Sequence, residues 1–400
     1  MASSQTAEVG LVEKLPPSSG VNKLFIGMML IGLVTFGLGL FTDAPRVWRS
    51  YLISNMIFVG LGIGASVFLV LHYLAGSGWF VVIRRIPEAM VSTLRISFVT
   101  TLVLLLGLGK LYPWTNTEMM RADHFLYHKI GYFGTAFFSI RMLLFFAVVI
   151  FFTTKLLKNS IRQDEEGGLD LRDRQKPISA AFLVCFAPLF TLFAIDMVKS
   201  LEPKWFSTIF GVYVFSGFMQ TAVEVAIICL CLLKRANFLK IVREDHVHDM
   251  SKYLFGWSVF WAYIGFSQYM LIWYANLPEE TFYFNNRMVG TWKWVAIALL
   301  VVKFILPFLL LLPRAAKRSL RFATGIACLV VFSQWLDMSW MVMPSFSPSG
   351  FIVGWQDIGL FIGFAGLFGF FVRRHLEQHN LVPLKDPYMH ESKDHHVVYA

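Results

Sequence analysis

Long apolar runs separated by short charged segments dominate the hydropathy pattern of the chain. Each run is close to the roughly 20 residues that an α-helix needs to cross a hydrocarbon core of about 30 Å. The apolar residues are continuous and do not alternate with polar ones, which favours helices over the strands of a membrane barrel. The sequence therefore predicts an all-α, polytopic membrane protein with ten transmembrane helices, at 24–41, 51–75, 90–111, 128–154, 179–199, 206–233, 252–275, 291–313, 321–343 and 352–372.

The composition supports this fold class. Hydrophobic residues make up 56% of the 400 residues, charged residues make up 15%, and the mean hydropathy is +0.61. Water-soluble domains are less apolar and more highly charged. The four cysteines all fall inside predicted helices. They are interpreted as small core residues, so neither disulfides nor a cysteine metal site is expected.

Lysine and arginine are divided unevenly between the two sides of the predicted membrane domain. Of 35, 23 lie on the side of the two termini and nine on the opposite side. Positive charge favours the cytoplasm, so both termini are predicted there. This topology explains the formal charge of +10 without a nucleic-acid partner. The predicted divisions are a polar N-terminal segment at 1–22, a membrane domain at 23–372 and a polar tail at 373–400. Because the first of these lacks a basic signal region, the first helix is expected to stay uncleaved.

Ionisable and amide side chains inside the predicted helices are candidates for function. Near the bilayer centre an ionisable group costs at least about 2.5 kcal/mol, so each one needs a partner, water or a role. A route for protons or ions is one interpretation of these residues, and an internal salt bridge without any role in transport is the other. The candidates for the proton path are Arg141, Glu224, Lys303, Asp337, Gln268 and Gln334.

A tier of polar residues is predicted nearer the non-cytoplasmic surface, and its members are His124, His128, Asp196, Lys199, Gln268, Gln334 and Asp337. Within it, His128 and Asp196 would bind the head of a quinol or pass its protons, because histidine titrates near neutral pH. The simpler alternative is that Asp196 pairs with Lys199, three residues further on, and that Gln268 bonds a neighbouring helix.

Common cofactor sites are not predicted. Of the ten histidines only three touch predicted helices, and all three lie near helix ends, whereas a bis-histidine haem site needs imidazoles that face each other within helices. The CxxCH motif, the cysteine runs of iron–sulfur proteins and the phosphate-binding loop are missing from the sequence. We therefore expect no catalytic residue, no metal ligand and no redox cofactor. The paired His395 and His396 are interpreted as solvated.

Four segments of the chain resemble the membrane subunits of the NrfD/polysulfide-reductase type. They are SLEPKWFSTIFGVYVFSG at 200–217, DMSKYLFGWSVFWAYIGFSQYMLIWYANLPEE at 249–280, FNNRMVGTWKW at 284–294 and SQWLDMSWMVMPS at 333–345. More narrowly, they resemble the ActF-type subunit, the second and smaller NrfD-like subunit of bacterial alternative complex III. The likeness covers predicted helices five to nine and extends over the first 150 residues only by helix count.

The resemblance implies two four-helix bundles, at about 51–199 and 206–343, with one flanking helix at each end. It also implies a complex of the bacterial inner membrane that oxidises menaquinol and passes electrons to a periplasmic carrier or a terminal oxidase. In such a complex the iron–sulfur and multi-haem c subunits hold the redox centres, and the larger NrfD-like paralogue holds the main quinol site. Menaquinone or lipid is the ligand this would imply here, with His128 and Asp196 the nearest candidates by depth.

Three functions stay open at this point. The first is a subunit of a quinol-oxidising complex that has no redox centre of its own and acts in assembly and proton conduction. The second is a catalytic subunit that binds quinol itself. The third is an autonomous secondary transporter of ions or protons, with which ten helices and buried charges are compatible.

Overall fold

The computed structural model describes residues 13–348 and 350–397. Within these residues there is no strand, which confirms the all-α fold class. The long helices are α1 Ser19–Thr42, α2 Ala44–Leu74, α3 Arg85–Leu111, α4 Thr135–Glu166, α5 Asp170–Met197, α6 Phe210–Arg235, α7 Glu244–Ala275, α8 Trp292–Leu311, α9 Leu320–Val342 and α10 Trp355–Gln378. Of the predicted N-terminal segment, residues 1–12 lie outside the described residues.

Nine helices in the described part of the chain are long and apolar enough to cross a membrane. The exception among the long helices is α7, which contains the predicted span at 252–275. It is 32 residues long, but its tryptophan, tyrosine and glutamine residues lower its hydropathy. A polytopic membrane protein is confirmed, and the count of ten transmembrane helices stays a prediction.

Two helix boundaries differ from the prediction in ways that matter for the polar residues. The fourth helix begins at Thr135 and not at residue 128, because the segment before it forms a short helix at His124–Tyr127 and then a turn. The segment at 155–178, which lies between predicted helices four and five, is mostly helical. Its residues continue α4 to Glu166 and begin α5 at Asp170, which leaves only a three-residue turn between the helices.

Two central helices organise the packing. α2 and α6 pack against each other and are the most buried of the nine apolar helices. α2 also packs against α3 and α5, and α4 packs against α5; we call α2–α5 the first bundle. α6 also packs against α7 and α9, and α8 lies against α7 and α9; we call α6–α9 the second bundle. We call the end at which α1 begins and α10 ends the terminal end, and the opposite end the distal end.

The flanking helices α1 and α10 lie side by side outside the two bundles. They approach each other closely at Gly32 and Gly363, where a Cβ added to Gly32 would lie 2.5 Å from the Cα of Gly363. Small residues allow helix backbones in a membrane to approach closely enough for van der Waals packing. Most of the α1 surface is exposed in the isolated chain, so this contact is the main attachment of the helix.

The tail after α10 packs back onto the terminal end. The amide of Leu381 donates to the carbonyl of Glu13 at 2.8 Å, and the hydroxyl of Ser392 donates to the carbonyl of Trp79 at 2.7 Å. The solvated state predicted for His395 is wrong, because its Nε2 lies 2.7 Å from Asp249 Oδ2. His396 is exposed.

A buried ionic cluster connects this tail to the membrane domain. Arg84 contacts Asp386 of the tail and Glu88 of α3, and Arg85 contacts Glu88 and Asp164 of α4. Burial alone would raise the pKa of the Asp386 carboxyl, but the charges of Arg84 and Arg172 outweigh burial and hold its pKa below the usual 3.8. The tail is thus anchored to the membrane domain by a buried ion pair.

Replacing Gly32 by Leu should weaken the packing of α1 on α10. The added side chain overlaps the Gly363 backbone, and overpacking of this kind costs about 1–3 kcal/mol. The measurement is the apparent thermal midpoint of the detergent-solubilised chain, which should fall. Gly37→Leu on the same helix is the control, since a Cβ there meets no atom within 4 Å. Equal midpoints for the two variants would contradict this account.

Replacing Asp386 by Asn should release the tail. Arg84 would then be buried without this carboxylate, at a cost of about 3–5 kcal/mol. Hydrogen exchange at 381–392, measured by mass spectrometry, should become faster, whereas Asp394→Asn at an exposed position should change it little. Because the folded pKa is depressed, the stabilisation should be complete above about pH 4 and lost only as the pH falls through the lowered pKa. Release of the wild-type tail near pH 6 would refute this assignment.

Candidate functional site

Polar side chains from the second bundle lie along one buried axis. On α6, Tyr213, Gln220 and Glu224 follow one another at spacings of seven and four residues, which places them on one face of the helix. All three are buried. From Tyr213 to Glu224 the helix rises by about 16 Å, roughly half of the hydrocarbon thickness. The polar axis therefore begins in the distal half of the helix and ends near its centre.

The centre of the axis is an ion pair between α8 and α9. Lys303 Nζ lies 2.6 Å from Asp337 Oδ2 and also donates to the side-chain oxygen of Gln334. Asp337 accepts two further hydrogen bonds, from the Tyr213 hydroxyl at 2.7 Å and from Trp261 Nε1 at 3.0 Å. Both members of the pair are almost completely buried. Such a pair needs good geometry and additional hydrogen bonds to offset the loss of hydration, and this carboxylate has both.

An irregular helix segment places Lys303 on this axis. Leu300–Ile305 is π-helical, a form that is rare and frequently found at functional sites. Pro307 has no backbone N–H with which to bond the Lys303 carbonyl four residues before it. Gln220 Nε2 donates to this carbonyl at 3.2 Å and to the Ser258 hydroxyl at 2.9 Å. Gln220 thus connects α6 to α7 and α8.

Glu224 ends the polar axis near the middle of α6. It is completely buried, and neither carboxylate oxygen has a hydrogen-bond partner among the described residues. A buried carboxylate without an internal donor is costly as an anion and is stabilised by protonation or by water. Glu224 is therefore suited to take up and release a proton.

A second ion pair lies in the first bundle, in the distal half. Arg141 binds Asp196 through two parallel hydrogen bonds of 2.7 and 2.9 Å, and Tyr132 donates its hydroxyl to Asp196 at 3.0 Å. The predicted pairing of Asp196 with Lys199 is therefore wrong. Arg141 is at the middle of the predicted helix 128–154, but it lies six residues after the start of α4, since that helix begins at Thr135.

His128 and Asp196, the predicted quinone ligands, have different environments. His128 is exposed, and its ring contacts those of His124 and Tyr127. Asp196 is buried in the pair with Arg141. In the described part of the chain these two side chains share no hydrogen bond. Binding of a quinone between them stays a prediction.

The structure brings together part of the predicted proton path. Lys303, Gln334 and Asp337 are in direct contact, and Glu224 lies further along the same axis. Gln268 lies on the α7 face that also carries Trp261, but it lines a neighbouring cavity. Arg141 belongs to the other bundle. The six candidates are therefore divided between an axis, a cavity wall and a separate ion pair.

The sequence did not indicate that Tyr213 and Trp261 donate hydrogen bonds to Asp337. The chain contains 13 tyrosines and 12 tryptophans, so two more aromatic residues in apolar helices were not distinctive. The one available signal was the position of Tyr213 on the face of α6 that carries Gln220 and Glu224.

Arg287 was also missed, because it falls in a predicted loop. It is completely buried, contacts Glu202 at 2.9 Å and stacks over the Tyr283 ring at 3.4 Å. It also donates to the Trp340 carbonyl at 3.1 Å and the Met341 carbonyl at 2.8 Å, near the end of α9. Arg287 therefore joins three segments at the distal end of the second bundle.

Comparison with known proteins does not assign the chain to a family. No protein-family model matches it, and no curated protein matches it. Among the described residues, no group of three or more histidine, cysteine, aspartate or glutamate side chains could hold a metal ion. The polar axis is therefore interpreted from its own geometry.

Replacing Lys303 by Met should destabilise the protein by about 3–5 kcal/mol, because Asp337 would be left buried without its cation. The double variant Lys303→Met/Asp337→Leu should recover most of this loss, since an apolar pair removes both buried charges. The measurement is a double-mutant cycle on the apparent unfolding free energy in detergent. Lys293→Met, at an exposed position of α8, is the control. A double variant as unstable as the single one would argue against this account of the pair.

Proposed function

We propose that this chain is an integral membrane subunit of a respiratory complex that oxidises quinol, that it carries no redox centre of its own, and that its second bundle conducts protons. Nine apolar helices among the described residues support the membrane location. The resemblance of four segments to NrfD-type subunits supports the complex. The observation that carries the proton role is the buried Lys303–Asp337 pair with the unpaired Glu224 on the same axis.

The arrangement lets one incoming proton leave the three titratable side chains of the axis neutral. A proton that arrives on Asp337 neutralises the carboxylate, and Lys303 is then an ammonium without its counter-ion. In a medium of low dielectric this destabilises the charged lysine, so that it releases its proton. Glu224 is the next titratable side chain along the α6 face; as a carboxylate that has already given up its own proton, it takes this one up. Gln220 lies between Glu224 and Tyr213 on this face, and its hydrogen bonds to Ser258 and to the Lys303 carbonyl hold α6, α7 and α8 in position.

The partners follow from the resemblance. They are an iron–sulfur subunit, a multi-haem c subunit and the larger NrfD-like paralogue, with a terminal oxidase as the associated acceptor. The exposed apolar surface of α1 supports contact with lipid or with another membrane subunit, because only a small part of that helix is buried within the chain. The proposed location is the bacterial inner membrane, with both termini in the cytoplasm.

Asp337→Asn and Glu224→Gln should each at least halve the number of protons translocated per electron by the complex reconstituted in liposomes. Neither side chain would then bind and release a proton, while electron transfer through other subunits should continue. The measurement pairs a pH-sensitive dye inside the liposomes with the rate of quinol oxidation. Glu279→Gln changes an exposed glutamate and is the matched control. An unchanged ratio in assembled variants would leave only a scaffolding role.

A further inference from the structure

A cavity of about 240 Å³ lies in the distal half of the second bundle, between α7, α8 and the segments at the distal end. Half of the residues that line it are aromatic, among them Trp261, Tyr283 and Trp340. This cavity is separate from the ion pair but adjacent to it. Tyr213 and Trp261 line the cavity, and the polar atoms of both donate to Asp337.

The cavity opens on the outer surface of the bundle. Phe266 on α7 and Leu300 on α8 line it, and their side chains are 62% and 49% exposed. Because these exposed side chains are apolar, a molecule dissolved in the lipid would reach the cavity from the side. Such lateral access suits a lipid-soluble ligand better than an ion or a water-soluble metabolite.

One polar side chain in the wall points to a ligand. Gln268 is 5% exposed, it lines the cavity, and its amide has no hydrogen-bond partner among the described residues. An amide buried in an apolar environment without a partner costs free energy, so such groups are normally satisfied. A ligand with a carbonyl or hydroxyl group beside Gln268 would satisfy it.

We infer that this cavity binds the ring of a lipid-soluble quinone, with Gln268 bonding one ring oxygen and the tail leaving between Phe266 and Leu300. A flat ring stacks on aromatic side chains, whereas an acyl chain gains nothing from stacking and offers Gln268 no partner. The volume is below the range of about 300–1,000 Å³ typical of larger ligands, so it suits one or two fused rings. The inference concerns binding alone and does not depend on proton conduction or on His128 and Asp196.

Photoaffinity labelling in lipid nanodiscs tests this inference. The full chain is irradiated with an azido-1,4-naphthoquinone, and labelled peptides are identified by mass spectrometry. Labelling should concentrate at 261–269 and 283–300, and an excess of 2-methyl-1,4-naphthoquinone should suppress it. Gly265→Leu should lower labelling at least fivefold, because its side chain would enter the cavity beside the Tyr213 ring. Gln268→Leu should lower it while leaving the cavity walls in place.

Two controls separate binding from misfolding and from partition into lipid. Gly325→Leu adds the same side chain at a position where a Cβ meets no atom within 4 Å, and Gln378→Leu removes an exposed amide. Both should label like the wild type. Labelling spread along the lipid-facing helices, or unchanged in Gly265→Leu and Gln268→Leu, would overturn the inference. Suppression by palmitic acid as effective as by the naphthoquinone would also overturn it, because the cavity would then be a site for acyl chains.

Discussion

The organisation of the second bundle depends on the ion pair of Lys303 and Asp337. Two charges in a hydrocarbon environment are tolerated only when they are paired and hydrogen-bonded, and this requirement fixes the neighbouring side chains. Tyr213 and Trp261 must face Asp337, and Gln334 must face Lys303. Tyr213 lies on α6 and Trp261 on α7, whereas Asp337 lies on α9. Gln334 also lies on α9, and Lys303 lies on α8. A single electrostatic constraint therefore sets the rotation of all four helices.

The same principle explains why the two ends of the membrane domain differ in their ionic contacts. At the distal end Arg287 and Arg141 each find a carboxylate and backbone carbonyls within the membrane domain. At the terminal end Arg84 finds its carboxylate in the tail, far away in sequence. A membrane protein with few charged residues thus uses most of its buried arginines to connect segments that apolar packing alone would leave unspecified.

The fold class could be predicted from the sequence because a continuous apolar run of about 20 residues indicates a helix that crosses the membrane. Helix ends could not, since α4 and α5 extend beyond the apolar residues as polar helices up to a three-residue turn. That Lys303 and Asp337 lie within helices could also be predicted, but not their contact, which depends on how helices rotate against one another. Asp196 shows the limit most clearly. A neighbour three residues away suggested a local pair, and the actual partner lies 55 positions earlier in the chain.

The π-helical segment of α8 changes the direction in which the rest of that helix presents its side chains. A π turn contains one residue more than an α-helical turn, which is equivalent to a single-residue insertion into an otherwise regular helix. Everything after such an insertion is turned by about 100° relative to a regular helix. The two halves of α8 therefore present differently oriented faces. The half before the π-helical segment lines the aromatic cavity, and the half after it packs toward the terminal end. The extra residue allows one helix to make both sets of contacts.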